Sequence, residues 1–182
     1  MAGKFDAQNA QNLVEVAEDF TGHRFAVKAV EQAQVYWNLL EKIPPRQLRL
    51  TKLDDEIFEH TLKTFPEMTS EPYDKLIKLD EDWMKSKEGK ERWRVFIQTY
   101  EKKIQDYNFG SLIRTDSRKN MARRTQFSVR GATKILTRIQ FYAIEISRNR
   151  LGLNDAAHEV AKVSAEKERR AEQEKKKKTK SS

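Results

Sequence analysis

The sequence of 182 residues contains no cysteine and little glycine or proline. The absence of cysteine excludes disulfide bonds, thiolate zinc sites and a cysteine nucleophile. Only 6 glycines and 4 prolines are present, which are too few turn-forming residues for an all-β fold. The glycines stand apart from one another, whereas a phosphate-binding loop needs clustered glycines so that backbone N–H groups can reach the phosphate oxygens. A nucleotide-hydrolysing motor is therefore disfavoured.

Long hydrophobic runs are also missing. No apolar run approaches the length of about 18 residues that a transmembrane helix requires, so no membrane span is predicted. The N-terminal residues lack the apolar segment of a signal peptide, and glycine at position 3 rather than 2 does not fit an N-myristoylation signal. We therefore expect a cytoplasmic protein, also found in the nucleus if the C-terminal lysines act as an import signal.

Charged residues are abundant and unevenly distributed. They make up 35% of the chain, and the net charge is +8. Residues 1–110 carry 17 basic and 20 acidic side chains, whereas residues 111–150 carry 10 basic and 2 acidic side chains. A change of sign this sharp indicates an acidic partner for the second region, or else a solvated basic loop and helix face.

Apolar residues recur at helical spacing over most of the chain. Stripes of this kind predict helices over residues 8–20, 26–40, 53–65, 70–77, 93–107 and 135–146, with a break at residues 21–24. We expect an all-α fold, a single irregular bundle of about six helices. This helical core domain would span residues 1–153, and residues 154–182 would form a charged, lysine-rich C-terminal helix or a disordered tail.

Two glycines are predicted to end helices. Gly110, or Asn108 just before it, would supply the left-handed residue that closes the fifth helix. Arg114 and Asp116 would then stand exposed on the turn that follows. Gly152 would end the sixth helix.

Residue patterns typical of catalysis are not found. Of the three histidines, His60 has two carboxylates close by on the same predicted helix, at Glu56 and Glu59. A di-metal helical bundle needs Glu-x-x-His pairs on two helices, and the sequence has none. No Gly-x-Ser-x-Gly motif of a serine hydrolase is present either. We therefore expect no enzymatic activity, no metal and no cofactor.

A basic tract covers residues 114–138. Only Phe127 could stack on a base between residues 115 and 140, so contacts to a phosphate backbone are easier to defend than base readout. The lysine-rich C-terminus offers a second basic segment. The candidates for contact with the ribosome or nucleic acid are Arg118, Lys119, Arg123, Arg124, Lys175, Lys176, Lys177 and Lys178. A ribosome- or RNA-binding factor that uses the tract 114–138 and the lysine tail is the alternative function.

Three segments together resemble a known family. They are VEQAQVYWNLLEKIPPRQLRLTKLDDEIFEHTLKTFPE (30–67), KERWRVFIQTYEKKIQDYNFGSLIRTD (90–116) and RIQFYAIEISRNRLGLND (138–155). They resemble the small eukaryotic family named polysaccharide biosynthesis domain-containing protein. The resemblance implies a helical, ribosome-associated chaperone that captures the nascent GTP-binding domain of elongation factor 1-alpha and works with the nascent polypeptide-associated complex. We expect a monomer that does not use ATP.

The polar residues inside these segments are the candidates for client binding. They are Arg46, Arg49, Lys52, Asp54, Asp55, Asn108, Arg114 and Asp116. Helix capping and local ion pairs are the alternative explanation for the same residues. Since a ligand shifts an equilibrium only through its differential affinity, we expect the nucleotide-free client to be held and the GTP-bound client to be released.

Overall fold

A computed structural model describes the backbone of residues 20–119 and 133–180, and the side chains of residues 27–119 and 133–177. Within these ranges the chain forms eight α-helices and one antiparallel pair of strands. The elements in order are α1 (Phe20–Lys42), a 3-10 helix (Pro45–Gln47), α2 (Asp54–Thr64), α3 (Pro66–Thr69), α4 (Asp74–Ile77), α5 (Glu81–Lys85), α6 (Lys87–Thr99), β1 (Gly110–Arg114), β2 (Thr133–Thr137), α7 (Arg138–Arg150) and α8 (Asp155–Lys180). Not one of these helices combines the length and the apolar character that a membrane crossing requires.

Aromatic side chains fill one part of the core. Phe65 stacks on Trp93 with their ring centroids 4.1 Å apart, and Phe96 lies 5.4 Å from Phe65. All three are at most 1% exposed. Burying an apolar side chain of this size stabilises a fold by about 1.5–3 kcal/mol, so this cluster fixes α6 against the end of α2.

Helix α7 lies at the centre of the molecule. Between Ile139 and Asn149, Tyr142 alone is only partly buried. A helix covered on almost every side also buries its polar residues, among them Glu145 and Arg148. Buried charges must be paired and hydrogen-bonded to be tolerated, and these two residues therefore determine how the surrounding elements meet.

The expectation of an all-α fold is correct for most of the described chain and wrong for the pair β1–β2. Gly110 pairs with Thr137, and Arg114 pairs with Thr133. The stripe that begins at Ile135 suggested a helix from that residue, but Ile135 belongs to β2. Helix α7 begins after Thr137, whose side chain forms a capping box with Gln140.

The predicted end of the fifth helix is also wrong. Helix α6 ends at Thr99, and the positive φ angles of the described residues occur at Tyr73 and Gly152, not at Asn108 or Gly110. The segment before β1 is fixed by α7 rather than by a helix cap of its own, because the N–H group of Ile139 donates to the Tyr107 carbonyl at 3.0 Å. The predicted break at residues 21–24 is wrong as well, since α1 runs through them.

The prediction for Gly152 is confirmed. Helix α7 ends at Arg150, and Gly152 follows with φ +76°. Helix α8 then packs its alanines Ala157, Ala161 and Ala165 inward, while every described side chain from residue 166 to 177 is exposed. The C-terminal segment is therefore helical and anchored by its first three turns. Arg169 adds an ion pair with Glu41 of α1 at 3.7 Å, and the second half of the helix, with its exposed side chains, is called the projecting half below.

Candidate functional site: a buried ionic network beneath an exposed arginine face

Six polar side chains meet inside the molecule. We call this set the buried network: Tyr36, Arg114, Glu145, Arg148, Asn149 and Asn154. The carboxylate of Glu145 is its centre. It accepts hydrogen bonds from the Tyr36 hydroxyl at 2.7 Å, from Arg148 at 2.8 Å and from Asn154 at 2.9 Å, and it lies 3.4 Å from Arg114.

Two arginine cations share this one carboxylate, and they also donate to backbone carbonyls and to a side-chain amide. Arg148 donates to the carbonyls of Leu76 at 2.8 Å and Arg114 at 2.9 Å. Arg114 donates to the Ser117 carbonyl at 2.8 Å and to the amide oxygen of Asn154 at 2.6 Å. The network thus ties α4, β1, α7 and the start of α8 together.

The electrostatics of the network follow from its geometry. Burial by itself would raise the pKa of Glu145, but the charges of Arg114 and Arg148 outweigh it and hold the pKa at about 2. Burial raises the pKa of the Tyr36 hydroxyl, and the Glu145 carboxylate raises it further. Tyr36 therefore remains a hydrogen-bond donor and Glu145 an anion at neutral pH.

Three of the predicted client-binding residues lie inside the structure. Arg114 is 3% exposed and Asp116 is 7% exposed, so the expectation that both stand exposed on a turn is wrong. Asp116 accepts two hydrogen bonds from the Arg118 guanidinium at 2.9 and 2.7 Å, and these bonds lower its pKa to about 2. Asp54 is 1% exposed and accepts the N–H groups of Leu50 and Thr51 at 2.9 and 2.7 Å. Asp54 and Asp116 therefore hold neighbouring residues of the chain, and Arg114 belongs to the buried network.

Other predicted residues lie together on the surface, joined by two that the sequence analysis did not select. We call this set the arginine face: Arg46, Arg49, Lys52, Asp55, Arg150 and Asp155. Asp55 lies 3.5 Å from Arg49 and 2.5 Å from Arg150. Arg46 lies 3.5 Å from Asp155. These ion pairs bring the segments 46–55 and 150–155 into one patch.

Packing contacts support the arginine face from below. The guanidinium of Arg150 lies over the Phe58 ring, 5.2 Å from its centroid. A Cβ atom at Gly152 would come within 2.5 Å of the Arg46 guanidinium, so the absent side chain at Gly152 makes room for Arg46. Arg150 follows the buried Asn149, and Asp155 follows the buried Asn154. The buried network therefore positions the residues beside it on the surface.

Asn108 is half-buried in the turn before β1 and is not part of the arginine face. The basic tract is largely engaged within the molecule where it is described. Lys134 pairs with Glu81. Arg138 donates to the Ser111 hydroxyl at 2.8 Å and lies over the Phe109 ring at 5.6 Å. Arg118 binds Asp116, and Lys119 is exposed.

The remaining ribosome-contact candidates divide between described and undescribed parts of the chain. Arg123 and Arg124 lie outside the described residues. Lys175, Lys176 and Lys177 are exposed on the projecting half of α8, and Lys178 continues that helix in a part whose side chains are not described.

A cleft of about 630 Å³ opens beside α4 and α5. Charges of both signs line it, including Lys78, Asp82 and Arg118. Asp80 in its wall caps α5 by accepting the Trp83 N–H at 3.0 Å, and Glu81 pairs with Lys134. Among the residues that the structure describes, no three His, Asp or Glu side chains group so that they could hold a metal ion.

Sequence reasoning missed the centre of the buried network. Glu145 and Arg148 stand at i and i+3 next to the Ile, Phe and Ala residues of α7. A pair of opposite charges beside apolar residues of one helix is the signal that could have revealed a buried ion pair. Arg150 and Asp155 carried no such signal, because their partners Asp55 and Arg46 lie about a hundred residues earlier in the chain.

Comparison with known proteins gives the family. A family model described as PBDC1 protein matches residues 21–159. The chain is similar to a PBDC1 homolog of Saccharomyces cerevisiae, at 48% identity over 83% of this chain and 94% of that protein, and to one of Schizosaccharomyces pombe, at 46% identity over 85% and 96%. It is 35% identical to human PBDC1 over 74% of this chain and 52% of the human protein.

A solved structure supports the same relationship. A Saccharomyces cerevisiae protein determined by solution NMR matches with a TM-score of 0.64 and 46% identity, over 85% of this chain and 96% of that chain. The assignment to a polysaccharide biosynthesis domain-containing family is therefore wrong, because the matching model and the named relatives are those of PBDC1. The chain belongs to the PBDC1 protein family.

Proposed function

We propose that this protein is an ATP-independent chaperone that holds the newly made GTP-binding domain of elongation factor 1-alpha against its arginine face. The observation that carries the proposal is the arginine face itself, where exposed charges from two distant segments lie together over the buried network. The identity of the client is what the resemblance of residues 30–67, 90–116 and 138–155 implies.

The geometry of the face favours protein binding. Arg46, Arg49 and Asp55 have side chains that are 65%, 65% and 62% exposed, although each takes part in an ion pair. Exposed ion pairs contribute only about 0–1 kcal/mol, so a partner can replace them at little cost. A binding face whose backbone is fixed loses little conformational entropy on association.

Release of the client has to come from the client. Isolated glycines do not form a phosphate-binding loop, so the proposal gives the chaperone no nucleotide cycle of its own. A client that binds GTP weakens its own complex only to the extent that its nucleotide-free form binds better. A coupling free energy of about 2.7 kcal/mol between GTP and the chaperone corresponds to a hundredfold change in affinity.

The projecting half of α8 completes the proposal. Lys175, Lys176 and Lys177 are exposed there, beyond the turns that anchor the helix. In the proposed function this arm contacts the ribosome or the nascent polypeptide-associated complex, while the arginine face contacts the client. The protein acts as a monomer in the cytoplasm, where the client is made, and has no catalytic step.

Capture of nascent chains tests the proposal. A tagged protein is purified during active translation, and the nascent chains that it retains are sequenced. We expect chains of elongation factor 1-alpha to dominate, and Arg46→Glu/Arg49→Glu to lose them. Lys87→Glu/Arg94→Glu, which reverses two exposed charges on α6, is the matched control and should retain them. Equal retention by both double variants would rule out the arginine face as the client site.

A ribosomal RNA contact is the second candidate function, and the exposed lysines of α8 favour it. Salt distinguishes the two. A protein that makes about six phosphate contacts loses roughly a thousandfold in affinity between 50 and 200 mM salt. A chaperone that holds a protein client through an interface with both apolar and charged contacts loses much less. The dependence of the affinity of the purified complex on salt concentration therefore distinguishes the two functions.

A further inference from the structure

Asp55 occupies a bridging position on the arginine face. Its Oδ1 atom accepts a hydrogen bond from Arg150 Nη2 at 2.5 Å, and its Oδ2 atom lies 3.5 Å from Arg49 Nη1. The Asp55 side chain is nevertheless 62% exposed. A carboxylate thus fills the space between two guanidinium groups without being enclosed by the protein.

The two arginines prepare this place for a carboxylate. Arg150 is 30% exposed and its orientation is set by the Phe58 ring beneath it, whereas Arg49 is 65% exposed and can follow an incoming group. The N–H groups of a guanidinium form a planar fork that matches the two oxygens of a carboxylate. An acidic side chain from another protein would find the same donors that Asp55 now uses.

We infer that the arginine face binds an acidic segment of a partner protein and that Asp55 is an internal competitor, whose place a carboxylate of the partner takes. The inference rests on the proposed function in that it uses the same face, and it adds the chemistry of the partner and a means of setting the affinity. Removal of the Asp55 charge therefore strengthens binding, although Asp55 lies in the binding face.

The charge of the face supports an acidic protein segment. The four cations Arg46, Arg49, Lys52 and Arg150 stand against the two carboxylates Asp55 and Asp155, although residues 1–110 as a whole are richer in acidic than in basic side chains. The face itself therefore carries a net positive charge.

A carboxylate fits the face better than a nucleic acid does. The site is already occupied by a carboxylate, so its guanidinium donors are placed for this group. Phe58 lies beneath the Arg150 guanidinium rather than open to solvent, so it offers no platform on which a base can stack.

Two probes test the inference at constant ionic strength. The first is a short peptide of alternating Asp and Glu with blocked ends, and the second is the purified, nucleotide-free GTP-binding domain of elongation factor 1-alpha. Each is titrated with the wild type and with Asp55→Asn. We expect Asp55→Asn to bind about two- to fivefold more tightly, because an exposed ion pair that competes with the partner has been removed.

The control variants separate a local from a general charge effect. Asp82→Asn removes one carboxylate from the exposed surface of α5, outside the face, and should bind like the wild type. Arg49→Gln, at an exposed position that leaves the fold intact, should bind several-fold more weakly, and Arg49→Gln/Arg150→Gln about tenfold more weakly. Adding Asp55→Asn to that double variant should give no gain, because the competition is then gone.

Three results would overturn the inference. The first is Asp55→Asn binding both probes no better than the wild type, the second is an equal gain from Asp82→Asn, and the third is a gain seen with a single-stranded RNA while the acidic peptide does not bind. The two probes keep the proposals apart. If only the peptide shows the expected pattern, the inference stands and elongation factor 1-alpha is not the client.

Discussion

Glu145 is the single residue on which the interior depends most. Its carboxylate is 1% exposed and is the anion that Arg114 and Arg148 share. Breaking a buried ion pair by removing one partner is far more costly than the pair is worth, because a charge remains in the interior without compensation. At this position two charges would remain.

Replacement of Glu145 by Gln therefore tests the network. The amide keeps the shape of the side chain but carries no charge, so we expect the free energy of unfolding to fall by about 3–5 kcal/mol. Urea denaturation monitored by circular dichroism measures it. Glu159→Gln, on the exposed side of α8, should change stability by less than about 0.5 kcal/mol. A similarly small effect of Glu145→Gln would mean that the hydrogen bonds to backbone carbonyl groups are sufficient to stabilise the buried charges of Arg114 and Arg148.

The same residue predicts acid sensitivity. The pKa of Glu145 is about 2 in the folded protein, against an ordinary value of 4.5, so the unfolded chain binds the proton more readily. The stability that the carboxylate contributes is complete above pH 4.5 and is lost as the pH falls from 4.5 toward 2. Urea titrations across this range should show a steeper loss for the wild type than for Glu145→Gln. Parallel curves would contradict the assignment.

His60 predicts a second pH dependence. Its ring stacks on Phe96 at 4.3 Å, and its Nδ1 atom lies 3.0 Å from the Tyr100 hydroxyl. Burial lowers the pKa of His60 from 6.5, the charges of Lys103 and Lys63 lower it too, and Glu56 opposes them. Because the folded state resists protonation, the stability contribution is full above pH 6.5 and decreases below it.

Unfolding measurements on both sides of pH 6.5 check this dependence. His60→Phe keeps a ring against Phe96 but cannot be protonated, so its stability should fall less than that of the wild type as the pH is lowered. Equal losses in the two proteins would assign the pH dependence to other groups.

At the scale of elements, the junction between α7 and α8 connects the interior with the surface. Asn154 binds Arg114 inside, while Asp155 pairs with Arg46 outside. Gly152 makes this arrangement possible, since its φ is +76° and the Arg46 guanidinium occupies the space of a side chain. The junction therefore serves both the stability of the fold and the geometry of the arginine face.

Gly152→Ala tests this junction. We expect a loss of about 1–2 kcal/mol in the free energy of unfolding, because a Cβ atom is strained at a left-handed φ. Binding to the client should weaken too, since the Arg46 guanidinium is displaced. Gly152→Asn separates the two effects, because Asn tolerates the left-handed region but still displaces Arg46. Unchanged stability and binding in Gly152→Ala would contradict the claim that Gly152 is needed for the fold and for the position of Arg46.

Periodicity predicts elements that bury one face and fails where the partner is distant. The stripes of α1 and α2 were readable because each helix alternates a core side with a solvent side. Strands β1 and β2 have five residues each, and their pairing joins Gly110 to Thr137 across a long connection. The spacing of four residues between Ile135 and Ile139 is typical of a helix, but Ile135 lies in β2 and Ile139 in α7. The capping box at Thr137 marks the boundary between the strand and the helix.

The candidate site, like the helices and strands, was predicted only in part. Arg46, Arg49 and Asp55 were selected from the sequence and are exposed. Arg114 was selected for the same reason and is buried, because Glu145 and Asn154 neutralise and bind it from 31 and 40 residues away. Composition cannot distinguish an exposed arginine from one whose partner comes from a later element.

At the scale of the whole molecule, the body and the projecting half of α8 are separable. Removal of residues 171–182 should leave the thermal unfolding midpoint within about 2 °C of the wild type, because the described side chains of that segment are exposed and the anchoring alanines remain. Sedimentation with ribosomes should decrease at the same time. A large drop in the midpoint would show that residues 171–182 stabilise the fold. Unchanged sedimentation would show that these residues do not contribute to ribosome binding.

The body itself is held by a central helix, an aromatic cluster and a buried ionic network. In the proposed function, a change in the client then has to end the interaction. The central claim of the account is that the arginine face distinguishes the nucleotide-free client from the GTP-bound one.

The affinity of the purified protein for the GTP-binding domain of elongation factor 1-alpha, measured by calorimetry without nucleotide and with saturating GTP, tests that claim most directly. The account predicts binding about a hundredfold weaker with GTP, and a loss of the nucleotide-free binding in Arg46→Glu/Arg49→Glu. Equal affinity for the two forms of the domain would contradict it.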